Sequence, residues 1–154
     1  MKTRAEIDKL FDMYETFSEG YLTSLASEAG KTLVRRISGR RDKEYAWDFI
    51  TVFCSVLTSI NKEPSMKEYN FYLKVTGLLC SYEQFCKMAK LNGDHNTLIE
   101  MKNYSQTVYF DSSFDADLML LGLCMCAIDG KISYDQREHM IRYVPMPGFT
   151  DDRY

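Results

Sequence analysis

Proline is almost missing from this sequence, with three among 154 residues, and the eight glycines are scattered singly. No Pro/Ser-rich or low-complexity stretch separates one part of the chain from another, which leaves no linker and makes one domain the expectation. No secretory leader is expected either: MKTRAEIDKLFDMYE carries acidic residues throughout and has neither an apolar core nor a small-residue cleavage site. The longest apolar run, Leu118 to Ile128, falls far short of the roughly 20 residues that a membrane-spanning helix needs. It reads as a buried core helix, and the chain is expected in the cytoplasm without a transmembrane segment.

Positive charge is in short supply as well. Nineteen Lys and Arg stand against 22 Asp and Glu, giving a net charge of −3 and a pI near 5.4. Phosphate contacts need a broad excess of cations, so a dedicated nucleic-acid binder is disfavoured. The five cysteines, Cys54, Cys80, Cys86, Cys124 and Cys126, are odd in number and sit within apolar helical patterns. That argues against a closed disulfide framework and for core packing in a reducing compartment.

Apolar residues are plentiful, 45% of the chain with 14% aromatic, enough for one sizeable core. They recur with helical period almost everywhere. Ile7, Leu10, Phe11, Tyr14 and Phe17 form a stripe ending at Gly20, which predicts a helix over 4–19. Leu22, Leu25, Ala26, Ala29, Leu33 and Ile37 predict a second over 21–38, with Gly30 as a weak point. A third is expected over 43–60, a fourth from Ser65 to a break at Gly77, and others from Tyr82 to the NGD at 92–94 and over 96–109. Ser112 and Asp115 precede an apolar helix ending near Ile128, and a last helix follows Ser133. The fold class is all-α, with about seven helices.

Between the last two helices lies AIDGKISYDQRE, residues 127–138. Asp129-Gly130 is a turn-forming pair, and Ser133 with Gln136 has capping-box spacing. The stretch is first of all a helix–corner–helix joint. A second one exists: FCSVLTSINKEPSMKEYNFYL (53–73) aligns without gaps to LGLCMCAIDGKISYDQREHMI (121–141), pairing Asn61 with Asp129, Ser65 with Ser133 and Glu68 with Gln136. Shared periodicity and capping could produce this match, but the equal corner length and apolar register favour a duplication with repeat units at about 43–77 and 112–144.

An apolar helix followed by A-x-D-G-x-[IV]-S-x-x-E and a second helix, twice in one short chain, resembles the TerB-like proteins, the tellurite-resistance protein TerB among them. The resemblance covers 43–144 and is best at 127–136. It implies a helical bundle of about seven helices with two pseudo-twofold related halves, in a bacterial, cytoplasmic stress-response protein. It also implies acidic corner residues that bind a divalent metal such as calcium, and protein partners that reach toward the membrane. Asp129 and Gly130 keep the second corner's pair while Gln136 replaces its glutamate; the first corner keeps Glu68 but has Asn61 and Lys62 in place of Asp-Gly. Glu68 and Asp129 are therefore the candidate metal ligands, provided the fold brings the corners together, since a hard cation wants several oxygens and more than one charge. An EF-hand is excluded because Gly130 directly follows Asp129, whereas that loop places its glycine at position 6 and a glutamate at 12.

Asp129, Asp135 and Glu138 can be solvated acids of the corner and helix start, partner contacts or metal ligands. Cys124 and Cys126, two apart on one helix, point in different directions and do not suit a shared metal. A Cys86–His95 nucleophile pair has no local signature to recommend it. The only concentrated positive charge is VRRISGRRDK, with Arg35, Arg36, Arg40 and Arg41 around a turn. These can be helix-end cations facing a negative dipole, or a surface for an anionic partner, a phosphate or a membrane. The reading that follows is a non-enzymatic binding or adaptor domain with a protein partner; the alternative is a small helical enzyme, a thiol- or metal-dependent hydrolase.

Overall fold

The computed structural model describes residues 2–109 and 111–146. Eight α-helices follow one another: α1 (Arg4–Glu15), α2 (Glu19–Arg40), α3 (Lys43–Thr58), α4 (Met66–Thr76), α5 (Tyr82–Asn92), α6 (His95–Tyr104), α7 (Ser112–Ala127) and α8 (Tyr134–Tyr143). A π-helical turn, Ser105–Tyr109, continues α6. The described residues contain no β-strand, so the all-α expectation holds, with one helix more than seven.

Each helix begins for the same local reason. Thr3, Ser18, Asp42, Ser65, Ser81, Asp94, Asp111 and Ser133 are extended residues whose side-chain oxygen accepts a hydrogen bond from a first-turn amide. Such caps satisfy backbone donors that the helix itself cannot. Two expected boundaries move because of them. Helix one stops at Glu15, not near 19, because Ser18 starts α2 and the Thr16 hydroxyl donates to the Met13 carbonyl; Gly20 lies in the first turn of α2. The apolar helix is capped by Asp111, one residue before the expected Ser112. The segment expected as one helix over 96–109 divides into α6 and the π turn.

The core is built around two helices that are apolar on nearly all sides. Phe49–Thr58 of α3 and Leu121–Ala127 of α7 are buried without interruption, as expected of helices with neighbours all round. Helix α2 packs most extensively on α7 and also covers α3 and α4, while α5 covers α3. Buried hydroxyls on α3 are absorbed locally or across the core: Thr51 Oγ1 lies 2.6 Å from the Tyr72 hydroxyl, and Thr58 Oγ1 donates to the carbonyls of Cys54 and Ser55.

Gly30 is a contact point, not a weak one. A Cβ there would stand 2.5 Å from the Val75 carbonyl oxygen, so the glycine sets how closely α2 crosses α4. Gly39, on the same helix, faces open space. Gly30→Ala is therefore expected to cost about 2 kcal/mol or more through backbone displacement, whereas Gly39→Ala should add about 0.5 kcal/mol by reducing the freedom of the unfolded chain. Denaturant midpoints of the two variants, compared with the parent, check both signs.

Candidate functional site

The two corners meet. The Ser65 hydroxyl caps α4 by accepting from the Glu68 amide at 3.0 Å and also lies 3.0 Å from an Asp129 carboxylate oxygen of the other corner. The Asn61 side-chain amide donates to Asp135 at the start of α8. Both capping boxes are complete, Ser65 with Glu68 and Ser133 with Gln136, and both box partners are buried.

The two box residues differ chemically because their surroundings do. Glu68 Oε1 accepts from the Ser65 amide at 2.8 Å and from Lys62 Nζ at 2.5 Å, while Lys62 also donates to the Thr58 carbonyl at 3.0 Å. Gln136 Oε1 accepts from the Ser133 amide, and its Nε2 donates to the Leu57 carbonyl at 3.1 Å. A donor is needed at the buried end of α3, and a glutamate in place of Gln136 could not supply one. The corners also turn differently: Asn61 takes the left-handed conformation in the first (φ 61°), and in the second it is Gly130 (φ 91°), which aligns with Lys62.

The DGKIS corner is gripped from a third side by α1. Glu15 accepts from the Ile132 amide at 2.7 Å. Arg137, at the start of α8, reaches Asp12 at 2.9 Å, Asp8 at 3.4 Å and Glu15 at 3.4 Å. Arg4 adds a 2.5 Å pair with Glu138. Sequence reasoning passed over Arg137 because nothing local marks it; the only signal is the acid spacing Asp8, Asp12, Glu15 along one side of α1.

Glu68 and Asp129, the two candidate metal ligands, are thus both brought to Ser65, one at its amide and one at its hydroxyl, and each is already engaged. Among the described residues no three His, Cys, Asp or Glu side chains converge as a ligand set. Any cation at Glu68 competes with the Lys62 ammonium.

The arginine turn divides. Arg36 is committed inward, 2.6 Å from Asp111 and 3.1 Å from the Ser113 hydroxyl, with its guanidinium over the rings of Tyr109 and Phe114. The Ser113 hydroxyl and amide, then Arg36, hold the Asp111 carboxyl down to about 2. Arg35, Arg40 and Arg41 are exposed. Arg40 lies over Tyr109, and Arg41 stands 4.0 Å over the Tyr45 ring. These rings belong to a continuous aromatic row, Phe49–Tyr45–Tyr104–Tyr109–Phe114, whose last pair stacks at 3.9 Å. The π turn aims Tyr109 into that row.

The cysteines are not all core. Cys54, Cys124 and Cys126 are buried, and burial pushes the Cys124 thiol up to about 12 and the other two higher. Cys80 and Cys86 are half-buried. Cys86 lines a groove of about 180 Å³ with Ser59, Lys62, Glu63, Pro64 and Lys90. His95 turns elsewhere, with Nδ1 2.7 Å from the Tyr143 hydroxyl. His139 lies beside the same tyrosine ring and lines a pocket with Phe49, Phe53, Val56, Leu98, Met101, Lys102 and Leu118, where burial pushes it down to about 4. That pocket has only about 20 Å³ of free space, room for a single water. No helix among the described residues is long and apolar enough to cross a membrane.

Comparison of the chain with family models, with curated proteins and with solved structures gives no match.

Two outcomes follow from the corners. Gln136→Glu should destabilise the protein by about 1–3 kcal/mol at neutral pH, because it removes the donor to the Leu57 carbonyl and buries an oxygen against it; denaturant titration measures this. Calorimetric titration with calcium, magnesium and manganese should show no binding tighter than about 1 mM, with micromolar affinity lost in Asp129→Asn as the opposite result.

Proposed function

We propose that the chain is a TerB-like helical binding module without catalytic chemistry of its own, and that its docking surface is the turn bearing Arg35, Arg40 and Arg41. The observation that carries this is the treatment of those cations. Arg40 and Arg41 lie over Tyr109 and Tyr45, exposed and without an ion pair to any described carboxylate. Stacked guanidinium groups lose less freedom on binding and keep their hydrogen-bonding edges for a carboxylate or phosphate. On a chain of net charge −3, a local cationic surface selects acidic segments of a protein partner, in solution or at a membrane, without attracting nucleic acid generally.

The kinship with TerB proteins is supported by the paired capped corners and by their mutual contacts through Ser65, Asp129, Asn61 and Asp135. Duplication of the 43–77 and 112–144 units, a cytoplasmic site and a part in stress resistance, tellurite included, belong to the same proposal. Metal at Glu68 and Asp129 is at most an accessory on this reading. The thiol-dependent form of the hydrolase alternative, with Cys86 and His95 as its pair, has less support: Cys86 lines the groove beside the 59–64 corner, whereas His95 pairs with Tyr143.

Arg35→Glu/Arg40→Glu/Arg41→Glu is expected to lose partner retention from native lysate at least tenfold while the protein stays folded, its stability lowered by about 1–2 kcal/mol as the contacts with Tyr109 and Tyr45 are lost, because Arg36 and its pair with Asp111 are left in place. Retention unchanged by the triple reversal, or insensitive to salt, would place the docking surface elsewhere.

A further inference from the structure

We propose that Cys86 is a site of reversible thiolation: the groove between the first corner and α5 seats an amino-acid or peptide disulfide, and the Cys86 thiol takes up one half of it as a mixed disulfide. The groove shares no residue with the arginine turn, so this stands or falls separately from the docking surface.

Cys86 is the cysteine that the core does not claim. Cys54, Cys124 and Cys126 are sealed in the main core, and Cys80 packs against it. Among the described residues, Cys86 packs against neither the main core nor the smaller apolar cluster around Val52 and Leu98. It is half-buried and lines a groove of about 180 Å³. The pocket beside His139, with about 20 Å³, holds a single water; the Cys86 groove has room for part of a small molecule. Its two walls are tied together: the Tyr82 hydroxyl of α5 donates to the Pro64 carbonyl of the corner at 2.5 Å, and the Tyr69 ring meets that of Tyr82 edge-on at 5.5 Å. The space is therefore preformed and needs no opening of the fold.

Four polar side chains share the groove with the thiol, and they differ in what they have left to offer. Lys62 is committed: its ammonium donates to the Thr58 carbonyl at 3.0 Å, the Glu63 carbonyl at 3.5 Å and Glu68 at 2.5 Å, which uses all three of its protons. Lys90 follows Cys86 by one helical turn on the same side of α5. It stands 3.9 Å from the Glu63 carboxylate across the groove, too far for a hydrogen bond, and both side chains are largely exposed. The Ser59 hydroxyl, at the end of α3, is the reverse case: less than 1 Å² of its oxygen is exposed, and it has no partner among the described residues. A free ammonium, a free carboxylate and an orphaned hydroxyl around one thiol match a ligand that carries a carboxylate, an ammonium and amide oxygens, the chemistry of amino-acid and peptide disulfides. The ligand carboxylate takes Lys90, its ammonium takes Glu63, and one of its oxygens takes the Ser59 proton.

Uptake is a thiol–disulfide exchange. The Cys86 sulfur, as thiolate, attacks one sulfur of the seated disulfide. The ligand's S–S bond breaks as the bond to Cys86 forms, and the other half leaves as a thiolate that takes the proton Cys86 gave up. Cys86 is oxidised and the departing half is reduced, so the disulfide is the only oxidant the step needs, and a second thiol reverses it. His95 pairs with Tyr143 and does not serve as a base here; the gain comes from holding the disulfide beside the sulfur.

Glutathione disulfide and the uncharged bis(2-hydroxyethyl) disulfide, each added to the folded full chain and to the same chain in urea, test this, with adduct formation at each cysteine followed by peptide mass spectrometry. In the folded protein Cys86 should take up glutathione ahead of Cys80. Its preference for glutathione disulfide over the uncharged reagent should exceed the preference of the same cysteine in urea by about fivefold. Lys90→Glu should remove that excess while the protein stays folded, because the Lys90 side chain is 73% exposed. Cys86→Ser should leave the folded chain without the early adduct. The site is overturned by Cys80 reacting first, by a folded-state preference equal to that in urea, by a preference that survives Lys90→Glu, or by adducts that form only once the chain unfolds.

Discussion

Everything in this fold turns on how the last turn of α3 is satisfied inside the protein. Burying a helix on all sides removes water from its terminal carbonyls, and four of them have no intrahelical donor. Here each finds one: the Ser55 carbonyl takes the Thr58 hydroxyl, Val56 takes the Ser59 amide, Leu57 takes the Gln136 side chain and Thr58 takes Lys62. Two of these donors are local. The other two belong to the corners, so the corners have to sit where they do, and Gln136 carries the demand from one hairpin into the other. Each missing donor would leave a buried oxygen at a cost of about 1–3 kcal/mol, a large part of a small domain's stability.

That requirement explains why the corner acids are poor free ligands. Glu68 is held by its own helix start and by the lysine that serves Thr58, and Asp129 is turned toward Ser65. Around this clasp the remaining elements attach through separate chemistries. Helix α1 is drawn in by Arg137 through Asp8, Asp12 and Glu15, with Ile7 and Phe11 buried beneath. The α2–α3 turn is fixed by arginines lying on aromatic rings, and α6 by contacts at the end of α8. The α2–α3 turn is the attachment that keeps exposed cations, Arg35, Arg40 and Arg41.

Sequence alone determined the helices and their starts where a cap sits beside an apolar stripe. The capping boxes at Ser65 and Ser133 and the apolar run at Leu118–Ile128, buried without interruption from Leu121, depend on interactions within a few residues, and so leave a local pattern. The candidate site was legible in the same degree: the two corners could be matched residue by residue, and the arginine turn stood out by charge. Where a local signal misled, a stronger local competitor had gone unnoticed, as when Ser18 rather than Gly20 set the end of α1.

Tertiary structure decided what each of those residues is for. Gly30 looks like a helix breaker until the Val75 carbonyl is placed above it. Gln136 looks like a decayed glutamate until its amide is seen to serve a carbonyl 79 positions away. Arg36 is indistinguishable from Arg40 in sequence, yet Asp111 and Ser113 take it out of the exposed surface. Neither histidine shares a motif with the other, and Tyr143 joins them. Apart from the His139–Tyr143 contact within α8, the partner is remote along the chain, and the free energy of the contact depends on burial and distance, which helical periodicity does not encode.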